Sequence, residues 1–137
     1  MDKDNVDFRP GAVVLARVLI ALENPTCRGK VRPVVLVLEE DGHWLVAGLT
    51  TIPRRRNGSA RLNLPDWKAA GLRGPGYLWG DRLHTVSKLD LQRAVGYADE
   101  ALVRAICTSH RMMPEALEAL AESVGLSAAD LNTESAA

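Results

Sequence analysis

The chain has 137 residues, 47% of them apolar, with 17 basic and 17 acidic side chains. That length suits one compact core, and no run approaches the roughly 20 apolar residues that cross a bilayer as a helix. The polar start MDKDNVDF does not read as a signal segment, so the sequence predicts a cytoplasmic protein with no membrane partner. Two cysteines, Cys27 and Cys107, fit neither a disulfide framework nor a CxxC spacing, and His43, His84 and His110 have no partner at ligand spacing. Neither a metal nor a cofactor is expected. The zero net charge hides a division. Residues 1–113 hold all 17 basic side chains and 12 acids, 17 − 12 = +5, while the last 24 residues carry five acids and no base. The acidic end reads either as a solvated terminus or as a segment that competes with a polyanion for a basic groove.

Taken in chain order, Gly11 to Leu22 is apolar and β-branched after a Pro-Gly pair and reads as a first strand. Asn24 to Gly29 reads as a loop. Pro33 lacks an amide donor and is expected at the first residue of a strand that runs to Glu39. Asp41-Gly42 is a two-residue hairpin signal, with Trp44 to Thr50 as the return strand. Ile52 to Ser59 is a polar loop holding Arg54, Arg55 and Arg56. Ala60 to Leu64 alternates like a short strand, and Pro65 to Ala70 suits one helical turn closed by Gly71. Tyr77 to Val86 is a further strand candidate interrupted at Gly80 and Asp81. From Asp99 the period becomes helical, with Leu102 and Ile106 on a stripe that continues toward Met113, and His110-Arg111 suited to its dipole. Pro114 opens a second helix with Leu117, Leu120 and Val124 on one face and Gly125 at its end. The predicted fold is mainly β: a small curved sheet of about five strands with a helix packed on it in residues 1–113. An acidic helical extension, 114–137, follows; it either packs its apolar face on the sheet or covers a basic groove.

The chemistry concentrates at one rim. Arg32 stands immediately before Pro33, and the hairpin returns Leu49-Thr50-Thr51 to the same edge, with the triple arginine two residues further on. When RNA is cleaved through its own 2′-hydroxyl, negative charge grows on the phosphate oxygens. A guanidinium fork and a positioned hydroxyl stabilise that charge without a metal, and a cationic loop holds flanking phosphates. Singly, each feature has a plainer reading: a strand-entry arginine as an ion-pair residue, Thr50-Thr51 as ordinary strand composition, the arginine run as a solvated turn.

In order and spacing, GAVVLARV at Gly11 to Val18, KVRPVVLVL at Lys30 to Leu38, VAGLTT at Val46 to Thr51 and GDRLHTVSKLDLQRAVG at Gly80 to Gly96 resemble the MazF/PemK family of toxin endoribonucleases. The resemblance implies an SH3-like barrel of the MazF/CcdB kind, a homodimer, and metal-independent cutting of single-stranded RNA to a 2′,3′-cyclic phosphate. It also implies a cognate antitoxin protein as partner. By the same resemblance Arg32 and Thr50 match catalytic positions, and Asp81 matches an acidic position with an active-site or RNA-contact role. Arg28, Lys30, Thr51, Arg54, Arg55, Arg56 and His84 are the expected RNA contacts. Two departures stand out: Cys27-Arg28 occupies the place of a frequent Glu-Gln pair, and His84 that of a frequent arginine, which ties a phosphate contact to pH near 6.5. The alternative from another class is a non-catalytic binder of RNA or DNA gyrase on the same scaffold, which has no need of a paired Arg32 and Thr50.

Overall fold

The computed structural model describes residues 8–18, 30–50 and 76–131, with positions 58, 68, 71, 72 and 74 between them; the side chains of 18, 30 and 79–81 lie outside that description. Five antiparallel strands form one sheet: β1 Ala12–Val18, β2 Lys30–Glu40, β3 His43–Thr50, β4 Tyr77–Ser87 and β5 Leu91–Tyr97. Their spatial order is β4-β3-β2-β1-β5. Two helices follow, α1 Glu100–Ser109 and α2 Pro114–Ser123. The expected strand at Ala60 to Leu64, most of the turn before Gly71, and the far end of the first predicted strand lie outside the described residues. Of that turn, Gly71 donates its N–H to the Lys68 carbonyl at 3.0 Å.

The β2–β3 hairpin forms where the sequence places it. Asp41 and Gly42 take φ of 49° and 82°, the two left-handed positions of a type I′ turn. Pro33 corrects the expected start of β2. It is the fourth residue of the strand, paired with Leu15 of β1. The Leu36 carbonyl accepts from Gly11 N on the β1 side, and backbone groups alternate sides along a strand, so the imide nitrogen of Pro33 faces β3. There the β2–β3 ladder closes at Val34–Gly48, and no bond is lost on the β1 side.

β4 is one strand with a large bulge. Gly48 pairs with Trp79 but Val46 with His84, so residues 80–83 stand opposite Ala47 alone. The interruption read at Gly80 and Asp81 is this bulge. β5 was not read as a strand. Two register shifts against β1 break the period-2 alternation by which a strand is recognised.

The connection from β4 to β5 sets the shape of the sheet. These are its two outer strands, yet only a 3-10 turn, Lys88–Asp90, joins them. Four residues reach at most about 14 Å from Ser87 to Leu91, whereas the outer strands of a flat five-stranded sheet lie about 19 Å apart. The sheet is therefore rolled, and the turn is tied to the hairpin tip by Lys88 N–H donating to the Gly42 carbonyl at 2.9 Å.

Alternation then gives two buried faces. The inside of the roll collects Ala12, Val14, Ala16, Val34, Leu36, Trp44, Val46, Val86 and Leu91, with residues from every strand. On the other face, Val13, Val35, Val37, Ala47, Leu49 and Leu78 pack against Leu102, Val103 and Ile106 of α1 and Ala116, Leu120 and Ala121 of α2. Asp99 caps α1 by accepting from Leu102 N at 2.9 Å. The helix ends at Ser109, short of the stripe's expected reach toward Met113, where Ser109 Oγ donates to the Ala105 carbonyl. His110 is the C-cap of the helix, its N–H donating to the Ile106 carbonyl at 2.9 Å, and Arg111 follows it. α2 has Pro114 at its first position and closes with Leu126 N on the Ala121 carbonyl and Gly125 N on the Glu122 carbonyl, a Schellman cap. The acidic segment thus adds its helix to the core of the sheet, leaving Glu115, Glu118 and Glu122 on the solvent side.

Candidate functional site

The register carries Arg32 and Thr50 to one place. Next to the hairpin, Glu40 pairs with His43 and Leu38 with Leu45, so paired numbers sum to 83; beyond Val37 the pairs are Leu36–Val46 and Val34–Gly48, which sum to 82. Counting two residues on, Arg32 comes opposite Thr50. Without the one-residue bulge at Val37 it would come opposite Thr51, and Thr50 would lie on the other face. On the far side of each strand, Thr50 pairs with Tyr77, Arg32 with Ala16, and Ala16 with Leu91. Tyr77, Thr50, Arg32, Ala16 and Leu91 therefore make one transverse row, continuous with the interior cluster and lying at the end of the roll.

Burial differs along this row. Thr50 is buried at 4% exposure, whereas Arg32 and Tyr77 are half-buried. Neither Arg32, Thr50 nor His84 is without an interaction partner. The paired β2–β3 ladder ends at Val34–Gly48, short of Arg32 and Thr50.

The remaining predicted residues separate into two groups. Lys30 begins β2, two residues before Arg32, and pairs with Val18. Asp81 lies in the β4 bulge and His84 just after it, opposite Val46. Val46 is four residues from Thr50, about 13 Å along the strand. His84 therefore shares the interior face without joining the Arg32–Thr50 row. Its imidazole is held below its ordinary 6.5, first by burial and then by the Arg82 guanidinium. The expected sensitivity to pH near 6.5 moves to more acidic pH, and at neutral pH His84 is an uncharged donor-acceptor. Arg28, Thr51, Arg54, Arg55 and Arg56 lie outside the described residues. Tyr77 was missed in the sequence, because only the β3–β4 register sets it beside Thr50.

Among the described residues no group of three or more His, Cys, Asp or Glu side chains converges as a metal site. Burial pushes the Cys107 thiol up to about 11, which keeps it protonated and a poor nucleophile at neutral pH. No helix among the described residues is long and apolar enough to cross a membrane. No protein-family model matches the chain, and no curated protein matches it.

Proposed function

We propose that the chain is a metal-independent endoribonuclease on a small SH3-like barrel, the toxin half of a toxin–antitoxin pair, cutting single-stranded RNA at the Arg32 end of the roll. The observation that supports this reading most is the register, which sets a half-buried guanidinium across from a threonine hydroxyl at the edge of an apolar interior. In the reaction the substrate 2′-oxygen attacks phosphorus, the bond to the 5′-oxygen breaks, and a 2′,3′-cyclic phosphate remains, with the 2′-proton lost and one gained by the leaving oxygen. Arg32 donates to the non-bridging oxygens as their charge grows, and Thr50 adds one donor. Each preorganised donor of this type is worth about 3–4 kcal/mol of barrier. Lys30, His84 and the arginines of the 54–56 loop belong to strand binding in this reading, Asp81 to the active site, and a second copy of the chain completes the groove.

The test is incubation of the purified chain with long single-stranded RNA in EDTA, followed by sequencing of the ends. Discrete cuts with cyclic-phosphate ends, abolished by Arg32→Ala in a protein of unchanged thermal stability, are expected. Cutting by the Arg32→Ala protein would remove the assignment. The burial of Thr50 favours a second reading, a binder of RNA or of DNA gyrase that cuts nothing. In that case RNA stays intact while the wild-type chain retains tight binding.

A further inference from the structure

A cavity at the opposite end of β1 takes no part in this chemistry. It is an open hollow of about 340 Å³, lined by Arg9, Pro10, Tyr97, Ala98, Glu122 and Ser123 among others, with Arg9, Glu122 and Ser123 exposed. That volume sits at the lower end of small-ligand sites, about 300–1,000 Å³. Gly11 lets β1 and α2 approach closely beside it: its φ is 90°, and a Cβ there would lie 2.7 Å from Ser123 Oγ and displace that side chain. Gly11 is five residues from Ala16, the partner of Arg32, about 17 Å along the strand. The cavity also opens on the helix side of the sheet, whereas Arg32 belongs to the interior row.

Its walls carry complementary chemistry. The Arg9 guanidinium lies 4.6 Å over the Tyr97 ring centroid, so its outer face is a flat cationic platform backed by an aromatic, with N–H donors directed outward in its own plane. Ser123 Oγ gives its proton to the Leu120 carbonyl at 2.6 Å, which leaves it an acceptor toward the cavity. Glu122 offers two further acceptor oxygens. Arg9 and Glu122, though of opposite charge and on one cavity, form no salt bridge with each other or with any other described residue.

We propose that this cavity is a guanine-binding site, in which the base stacks on the Arg9–Tyr97 pair, its N1–H and N2–H donate to the Glu122 carboxylate, and the Arg9 N–H groups hold a phosphate. Guanine is the one common base with two adjacent donors on a single edge, matching the two oxygens of a carboxylate. Stacking on a guanidinium or aromatic plane is the usual means of holding an unpaired base. A free guanine nucleotide and a guanosine within RNA share this chemistry; as an RNA subsite remote from the cut, the proposal rests on the endoribonuclease reading.

Titration of the full chain with GMP, AMP, CMP and UMP, and with single-stranded oligonucleotides with or without guanine, tests it. GMP is expected to bind, with the other three weaker by roughly ten-fold or more, and Glu122→Gln is expected to weaken GMP by roughly 10- to 100-fold at unchanged thermal stability. Equal binding of all four, no nucleotide binding, or an undiminished GMP affinity in Glu122→Gln would overturn the proposal. Tighter binding of a guanine-containing oligonucleotide than of GMP would support an RNA subsite; no gain from the oligonucleotide would support a free-nucleotide site. RNA cutting by the wild-type chain separates the two readings. A chain that binds GMP but cuts no RNA keeps the guanine site and ends the nuclease; one that cuts RNA without binding GMP does the reverse.

Discussion

The two faces of the sheet are buried by different means, and the difference bears on the proposed chemistry. One face is closed by α1 and α2, whose Leu102, Ile106 and Leu120 fill it as separate elements docked from outside. The other is closed by the sheet itself, rolled until Val86 of β4 and Leu91 of β5 share a cluster with Ala12 and Leu36. The helix-covered face is closed along the middle of its strands. A rolled face has ends, and at one of them the apolar row gives way to Thr50 and Arg32. Polar groups at such an end meet a ligand on one side and low-dielectric packing on the other, where their hydrogen bonds act most strongly.

The sharpest way to break this comparison is to open a cavity in each face. Leu36→Ala inside the roll and Leu120→Ala under the helices each remove a fully buried side chain and should destabilise the chain by about 2–5 kcal/mol in urea unfolding. Their effects on RNA cutting should diverge. Leu36 lies in the interior cluster that leads to Arg32, so its loss lowers the rate of the folded protein as well; Leu120→Ala leaves the rate of the folded fraction intact. Equal losses of rate would mean that the two faces do not differ in function.

Thr50→Val comes next in size. The replacement keeps the shape and removes the hydroxyl, and a lost transition-state donor predicts a fall of about 10²-fold in the cutting rate of the folded protein. A fall in stability with the rate preserved would make Thr50 part of the packing alone.

How far the sequence carried this picture depends on the range over which each feature is encoded. The Asp41-Gly42 turn is written in adjacent residues and forms as read; the helix start at Asp99 is equally local, and Asp99 is its cap. That Arg32 and Thr50 belong to the open end of one hairpin was legible because a tight turn sets equidistant residues on paired strands. That Arg32 faces Thr50 rather than Thr51 was not legible, since it depends on the bulge at Val37. β5 escaped for a similar reason: its bulges against β1 scramble the alternation, and its place beside β1 is a long-range pairing that local pattern does not contain. The cavity beside Arg9 joins the start of β1, the end of β5 and the end of α2, three segments that only the folded sheet brings together.

On the helix-covered face a smaller effect is expected from Asp99→Ala. Loss of the side-chain acceptor for Leu102 N should cost about 1 kcal/mol, read from the urea midpoint, with RNA cutting by the folded protein unchanged.

The smallest effect belongs to the rolled face and distinguishes it by pH. His84, half-buried opposite Val46, has its imidazole held below 6.5 by burial and by Arg82, so the folded chain resists a proton that the unfolded chain accepts. Between the folded value and 6.5 the unfolded state therefore binds more protons, and stability rises with pH across that window. His84 contributes fully above 6.5, and its contribution is lost as the pH falls through the folded value. Urea midpoints roughly one pH unit above and below 6.5 should differ in the wild-type chain, and His84→Gln should shrink that difference. An undiminished difference in the variant would assign the acid sensitivity to carboxylates elsewhere and leave His84 without a part in it.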